Sequence, residues 1–173
     1  MLKTPNLLIM PASGEERKLF GLTPEEMVMA ISRDKAAKVA EERPKTDIII
    51  GADTIVEMDG DVFGKPKTED EAFYMLSKLS GCTHRVFTGV TIIKGEAVFS
   101  EAEVSGVTFR PLADAEILNY IKTGEPMDKA GAYGIQGLGS LLVERIDGDF
   151  YNVMGLPLCR LHKMLCKLGV NLI

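Results

Sequence analysis

The sequence predicts an α/β protein: a mixed β-sheet with helices packed on its flanks. Two stretches begin with helix capping patterns, three consecutive isoleucines at 48–50 have the composition of a buried strand, and residues 83–109 alternate as a long antiparallel pair does. With 173 residues the chain is long enough to bury one core without staples. We therefore expect a single domain over residues 1–173.

Composition narrows the classes of protein to which the chain can belong. The net charge of −5, without a basic block, argues against a nucleic-acid partner, and no apolar run approaches the ~18 residues of a membrane span. Three cysteines without a C-x-x-C pair suit a reducing compartment, and the N-terminus has no signal pattern, so we expect a cytoplasmic protein. With only two histidines, any bound metal should be held by oxygen ligands.

The N-terminal half is predicted to place an acidic residue beside a lysine. Residues 6–10 have the composition of a strand, and the capping box at 23–26 should open a helix that runs to about residue 42. A fully buried strand at 47–53 should end at Asp53, at the sheet edge where ligands of open α/β sheets bind. The dipeptide Asp59-Gly60 predicts a hairpin that aims Lys65 back toward Asp53. The alternative interpretation is that Asp53 only caps a turn.

The C-terminal half continues the alternation of helices and strands. The further predicted elements are a helix from the capping box at 68–71 to about residue 79, an antiparallel pair turning at 94–95, a helix at 114–122, a strand at 141–146 and a closing helix at 156–168. Between the third helix and the next strand, residues 124–139 are rich in glycine, and a loop of this length is more often functional than passive.

Common catalytic signatures do not account for the charged residues. The stretch from Gly60 to Lys65 is one residue too short for a phosphate loop and is followed by Pro66. What remains is a set of carboxylates and lysines, namely Glu15, Glu16, Asp53, Lys35, Lys65 and Lys129. Such a set suits Mg²⁺ or Mn²⁺ and a phosphate ligand, although charged residues usually form solvated surfaces.

Several longer motifs together resemble one family. They are Gly51-Ala52-Asp53-Thr54, Gly64-Lys65-Pro66, Leu79-Ser80-Gly81-x-Thr83-His84-x-Val86-x-Thr88-Gly89, the run from Gly124 to Gly137, and Gly155-Leu156-Pro157. In this order they resemble the Maf family of nucleoside triphosphate pyrophosphatases, over nearly the whole chain. The loop with Gln136 is similar to the subgroup that acts on dTTP and UTP.

The resemblance implies a fold, a reaction and a cofactor. The fold is an elongated mixed sheet of the inosine-triphosphatase type, commonly in a homodimer. The reaction is attack by a metal-assisted water on the α-phosphorus, which releases a nucleoside monophosphate and pyrophosphate, and it serves nucleotide-pool housekeeping. The cofactor is a divalent cation, Mg²⁺ or Mn²⁺.

Site residues follow from the positions that match the family's motifs. The proton acceptor falls on Asp53, and the specificity positions fall on Thr54 and Gln136. Lys35 and Lys65 would offset phosphate charge. Glu15, Glu16 and Asp53 would hold the metal.

One departure from the family pattern affects the expected activity. The family begins with a strand and a Ser-x-Ser-Pro-Arg-Arg loop that holds phosphates, and this sequence has no clear counterpart of either. We therefore expect a fold without its first strand and a chain that hydrolyses nucleotides slowly. The alternative function is a catalytically impaired, nucleotide-binding regulator related to cell division. The natural substrate could be a normal or a base-modified pyrimidine nucleotide.

Overall fold

The computed structural model describes residues 7–11 and 21–173. These residues form a five-stranded sheet in the order β2-β1-β3-β4-β5, with helices against it. The helices are α1 (Pro24–Glu41), α2 (Glu69–Leu79), α3 (Asp114–Ile121), α4 (Phe150–Val153) and α5 (Leu158–Lys167). The strands are β1 (Ile48–Met58), β2 (Asp61–Phe63), β3 (Thr83–Lys94), β4 (Ala97–Phe109) and β5 (Val143–Asp147).

The α/β architecture is confirmed, but the strand directions differ from the prediction. Every pairing among the described strands is antiparallel, so within residues 7–11 and 21–173 the sheet is not mixed. The mixed sheet followed from combining the antiparallel pair at 83–109 with a fully buried strand at 47–53, but apolar composition does not fix the direction of the neighbouring strand. Residues 7–11 have no regular secondary structure, so the strand expected at 6–10 is not formed there.

Helix α1 begins as its capping pattern predicts. The Thr23 side chain accepts a hydrogen bond from the backbone N–H of Glu26, and the Glu26 carboxylate accepts one from the Thr23 backbone at 2.9 Å. At α2 only half of the pattern forms, because the Glu71 carboxylate accepts from the backbone of Lys67 instead of Thr68. Both helices still start at the expected residue, since satisfying the free N–H groups of the first turn is what a cap contributes.

Strand β1 is longer and less buried than the sequence indicates. It continues to Met58, so the prediction that a buried strand ends at Asp53 is wrong: Asp53 lies mid-strand, opposite Gly89 of β3. Ile50 is 39% exposed, so the isoleucine run is not fully buried either. Residues 56–58 pair with β2 as the Asp59-Gly60 hairpin predicts, which extends β1 beyond its apolar run.

Two glycines let α1 lie directly on the sheet. A Cβ on Gly51 would stand 2.4 Å from the backbone oxygen of Ser32, and one on Gly89 would stand 2.3 Å from that of Val28. The side chain of Ser32 also contacts Thr91 of β3 at 2.9 Å. This close packing brings the middle of α1 over the middle of β1, which is what positions the site described below.

The remaining described helices pack around two hydrophobic clusters. The first cluster joins α2, α3 and the start of β3, and the second joins α5 to Val90 and Ile92 of the same strand. The glycine-rich stretch forms three short 3₁₀ segments, Glu125–Asp128, Ala130–Ala132 and Gly137–Leu142. In the described ranges, none of the helices has the length and apolar character needed to cross a bilayer.

Candidate active site

A pocket of about 300 Å³ lies along the edge of β1. Strand β2 pairs only with residues 56–58, and residues 52–54 border the pocket just beyond that pairing. Six of the residues named from the sequence line it together, namely Lys35, Asp53, Thr54, Lys65, Lys129 and Gln136. The other two, Glu15 and Glu16, lie outside the described residues. Successive side chains of a strand point to opposite faces of the sheet, so those of Asp53 and Thr54 lie on different faces. A pocket that both of them line must therefore lie at the edge of the strand.

Asp53 and Lys35 form an ion pair at the wall of this pocket. The Lys35 Nζ donates to Oδ1 of Asp53 at 2.5 Å, and the side chain of Asp53 is only 9% exposed. The lysine comes from the fourth turn of α1 and the carboxylate from mid-β1, so the pair depends on the packing of α1 at Gly51. A carboxylate so placed can accept a proton or coordinate a cation, and the ammonium group can meet an anionic ligand.

Lys65 reaches the pocket from the end of the β2 hairpin. Its loop is held by a backbone hydrogen bond from Gly131 N–H to the carbonyl of Gly64, at 3.0 Å. The neighbouring wall carries Asp128 and Lys129, which form an ion pair with each other. The hydrogen bond from Lys129 lowers the pKa of Asp128, and the charge of Lys65 lowers it further. Lysines from three segments therefore line one pocket.

Thr54 belongs to a chain of hydrogen bonds that runs into the core. Its Oγ1 lies 2.8 Å from that of Thr88, which also donates to the carbonyl of Asn152 at 2.9 Å. Asn152 is fully buried and donates through Nδ2 to the carbonyl of Val86 and to Ser105 Oγ. The short helix α4 is thereby fixed to the sheet, and the residues that follow it, Met154 and Gly155, line the pocket.

Gln136 is exposed at the mouth of the pocket, next to a buried aromatic residue. Tyr133 lines the pocket and its hydroxyl lies 2.8 Å from Nε2 of His84. His84 is 1% exposed, and burial lowers its pKa to about 4. The buried, neutral imidazole of His84 therefore fixes the hydroxyl of Tyr133 on the core side of the pocket wall. The side chain of Gln136 is exposed and can contact a ligand.

Sequence reasoning missed several residues of the wall. Asp128, Tyr133 and Met154 all line the pocket, although none was assigned a role. The first two lie within the glycine-rich run, which was the available signal. Helix α4 has only four residues, too short to show a periodic pattern.

Two carboxylates among the described residues line the pocket, Asp53 and Asp128, and each of them pairs with a lysine. Among the described residues there is no group of three His, Cys, Asp or Glu side chains able to hold a metal. Mg²⁺ is, however, commonly held by one or two carboxylates together with substrate phosphates. Asp53 can be such a carboxylate, and three lysines line the same pocket, where they could meet the phosphates of a ligand.

Comparison with known proteins identifies what the chain is similar to. A family model described as Maf-like protein matches residues 1–168. The chain is 52% identical over 169 residues to the dTTP/UTP pyrophosphatase of Caldicellulosiruptor bescii, covering 95% of this chain and 85% of the relative. It is 50% identical to that of Caldicellulosiruptor saccharolyticus, with the same coverage. It is 46% identical to that of Bacillus velezensis, covering 96% of this chain and 90% of the relative.

Proposed function

The chain belongs to the Maf family, and on that premise we propose that it is a nucleoside triphosphate pyrophosphatase acting on dTTP and UTP. The products are the nucleoside monophosphate and pyrophosphate. The observation that carries the proposal is the single pocket at the edge of β1, in which a carboxylate, several lysines and an exposed amide meet. The names of the similar proteins support the same reaction and the same two nucleotides.

Asp53 is the proton acceptor in this proposal. Its carboxylate orients a water and takes a proton from it as the water oxygen attacks the α-phosphorus. The bond between that phosphorus and the bridging oxygen breaks, and pyrophosphate leaves with the electron pair. The hydrogen bond from Lys35 to Oδ1 holds the carboxylate of Asp53 in one orientation at the wall of the pocket.

The lysines bind the triphosphate. Lys65 is exposed at the pocket and neutralises phosphate charge, and Lys35 faces the same space beside Asp53. Positive groups held around a transferred phosphoryl group act mainly by stabilising the charge that develops on its oxygens. Replacing either lysine should therefore lower the rate of the reaction.

A divalent cation, Mg²⁺ or Mn²⁺, completes the proposed site. Asp53 would hold it together with Glu15 and Glu16. When bound, it would supply a Lewis acid for the phosphate oxygens and a water of lowered pKa. The resemblance and the oxygen chemistry of Asp53 support this assignment.

Gln136 and Thr54 select the base. A glutamine amide offers one donor and one acceptor side by side, which matches the N3–H and a carbonyl oxygen of uracil or thymine. Cytosine lacks an N3–H and presents an amino group, so it cannot form the same two bonds. Thr54 contacts Thr88, and a hydroxyl retains capacity for one more partner, so it can check the nucleotide from the other side.

The biological role that fits this activity is nucleotide-pool housekeeping in the cytoplasm. The substrate could be normal or base-modified pyrimidine triphosphates, which differ at the base edge. The family resemblance also supports a homodimer.

The test is turnover of the purified chain with UTP, dTTP, CTP and ATP in the presence of Mg²⁺ or Mn²⁺. The proposal predicts monophosphate and pyrophosphate in equal amounts, with UTP and dTTP preferred. Calorimetric titration with a non-hydrolysable UTP analogue separates the alternatives. Binding without any turnover would contradict the proposal in favour of a nucleotide-binding regulator, and absence of both would exclude nucleotides altogether.

A further inference from the structure

The carboxylate of Glu125 holds the loop that carries Gln136 on both sides of that residue. On the C-terminal side, it accepts the backbone N–H of Leu138 at 3.0 Å and that of Gly139 at 2.8 Å. On the N-terminal side, it accepts the hydroxyl of Tyr120 at 2.9 Å, and that hydroxyl accepts the N–H of Gly134 at 3.2 Å. One side chain thus fixes both flanks of Gln136, directly and through a buried tyrosine.

The bonds from Leu138 and Gly139 satisfy N–H groups at the start of the 3₁₀ segment Gly137–Leu142, which begins directly after Gln136. Such groups have no partner within their own helix and would otherwise be left to water. Burial would raise the pKa of Glu125, but the hydrogen bonds from Gly139, Leu138 and Tyr120 bring it below its ordinary value overall. The carboxylate is therefore ionised at neutral pH and binds its donors strongly.

Two glycines of the loop lie too close to Glu125 and Tyr120 to carry a side chain without a shift. A Cβ on Gly137 would stand 2.7 Å from Oε2 of Glu125. A Cβ on Gly139 would stand 2.3 Å from the carbonyl oxygen of Gly134 and 2.5 Å from the hydroxyl of Tyr120. The backbone on either side of Gln136 is packed directly against the Glu125–Tyr120 pair, while the side chain of Gln136 itself is exposed.

We propose that Glu125 is a positioning residue for base selection: it fixes the backbone around Gln136 so that the amide meets the base edge in one orientation. This inference rests on the proposed function of Gln136 and names the residue on which its specificity depends. Base discrimination by two hydrogen bonds requires the amide to be held in place before binding, because a mobile side chain can turn to suit the wrong base. Glu125 is not among the residues that line the pocket, so it would act through the loop and not through contact with the nucleotide.

The test is a double-mutant cycle between Glu125→Gln and Gln136→Ala, read as the ratio of kcat/KM for UTP to that for CTP. A glutamine at 125 keeps the size, but its NH₂ group would face one of the N–H groups that the carboxylate accepts. We expect Glu125→Gln to lower the ratio by about fivefold or more, the scale of one buried hydrogen bond left unmade. The loss should arise mainly from a higher KM for UTP, with kcat for UTP within about threefold.

The double variant decides whether Glu125 acts through Gln136. If it does, Glu125→Gln causes little further loss of the ratio once Gln136 is alanine. Additive losses, or an unchanged ratio in Glu125→Gln, would overturn the inference. A protein whose wild-type form turns over UTP and CTP equally, or turns over neither, would instead refute the proposed function, so the two failures can be told apart.

Two further variants separate an effect on base selection from a general loss of stability. Glu26→Gln is the matched control, since Glu26 also accepts a backbone N–H at a helix start but lies away from the pocket, and it should leave the ratio unchanged. Tyr120→Phe removes the hydroxyl that links Glu125 to Gly134 but leaves the bonds from Leu138 and Gly139, so it should lower the ratio by less than Glu125→Gln does. If Glu125→Gln fails to fold, the result for Tyr120→Phe decides: an unchanged ratio would overturn the inference.

Discussion

The Nζ of Lys35 and the Oδ1 of Asp53 lie 2.5 Å apart, although one belongs to a helix and the other to the middle of a strand. The contact exists because α1 lies so close to β1 that Gly51 cannot carry a side chain. A carboxylate held by a lysine from another element has a fixed orientation relative to the pocket that it lines. The pairing thus links the packing of the fold to the proposed chemistry.

Replacing Asp53 by asparagine should abolish most of the activity while leaving the fold intact. Asparagine keeps the size and can still accept from Lys35, but it cannot take a proton, and losing a general base typically costs about 10²-fold or more in kcat. Steady-state hydrolysis of UTP measures this. Asp47→Asn is the control, because Asp47 also pairs with a cation, Arg43, but lies off the pocket. Activity of Asp53→Asn within a few-fold of wild type would remove Asp53 from the mechanism.

Local sequence patterns were sufficient to predict most elements of the fold. The capping residues of α1 and the Asp59-Gly60 hairpin acted through contacts within a few residues, and both formed as expected. The end of β1 was predicted too early, because Gly51, Ala52 and Asp53 interrupt the apolar run; the strand continues through the buried Ile55 and Val56 and pairs with β3 and β2. The antiparallel pairing of β1 with β3 is likewise a tertiary property that composition does not encode.

The candidate site was predictable only in part. The motif around Asp53 and Lys65 indicated a charged cluster, and the structure places these residues on one pocket with Lys35. The role of Glu125 could not be seen, because its partners at 134, 138 and 139 are reached through the folded loop. His84 belongs to the motif that begins at Leu79, but its contact with Tyr133 forms only when β3 packs against the glycine-rich loop, 49 residues further along the chain.

A methyl group at Gly89 should destabilise the protein, because α1 leaves no space for it. The added Cβ would stand 2.3 Å from the backbone oxygen of Val28, and a shift of α1 to relieve this costs about 1–3 kcal/mol in typical overpacked cores. Urea unfolding of Gly89→Ala measures the change in the free energy of unfolding. Gly64→Ala is the control: its added Cβ would have no contact within 4 Å, so the free energy of unfolding should hardly change. Equal stability of the two variants would show that α1 is not packed as described.

The buried His84 should make the protein lose stability as the pH falls from about 6.5 toward 4. Its pKa is lowered to about 4 in the folded state, against an unfolded value near 6.5, so the unfolded chain binds the additional proton in this window. This loss in the free energy of unfolding is absent above pH 6.5, grows as the pH falls and amounts to roughly 3 kcal/mol near pH 4.

Urea unfolding of the wild type and of His84→Gln between pH 4 and 7 measures this effect. The difference in slope between the two proteins should lie in that window, and His162→Gln, a variant of the half-buried histidine on α5, is the control for the loss of one histidine. A wild-type slope retained in His84→Gln would show that other groups cause it.

Replacing Gln136 by alanine should reduce the preference for UTP and dTTP over CTP. Leaving the polar partner of a base unpaired costs discrimination of about 1–3 kcal/mol, or roughly 5- to 150-fold in relative kcat/KM. Parallel steady-state measurements on the three nucleotides give the ratio. If Gln136 only stabilises its own loop, activity should fall equally on all three, and an unchanged ratio would remove it from the specificity site.

The most direct test of the proposed reaction is hydrolysis of UTP in water enriched in ¹⁸O, with the products separated and weighed by mass spectrometry. Attack on the α-phosphorus with Asp53 as proton acceptor predicts one ¹⁸O atom in each UMP and none in the pyrophosphate. Label in the pyrophosphate with unlabelled UMP would mean attack at the β-phosphorus, and UDP with labelled inorganic phosphate would mean attack at the γ-phosphorus. Either result would contradict the account.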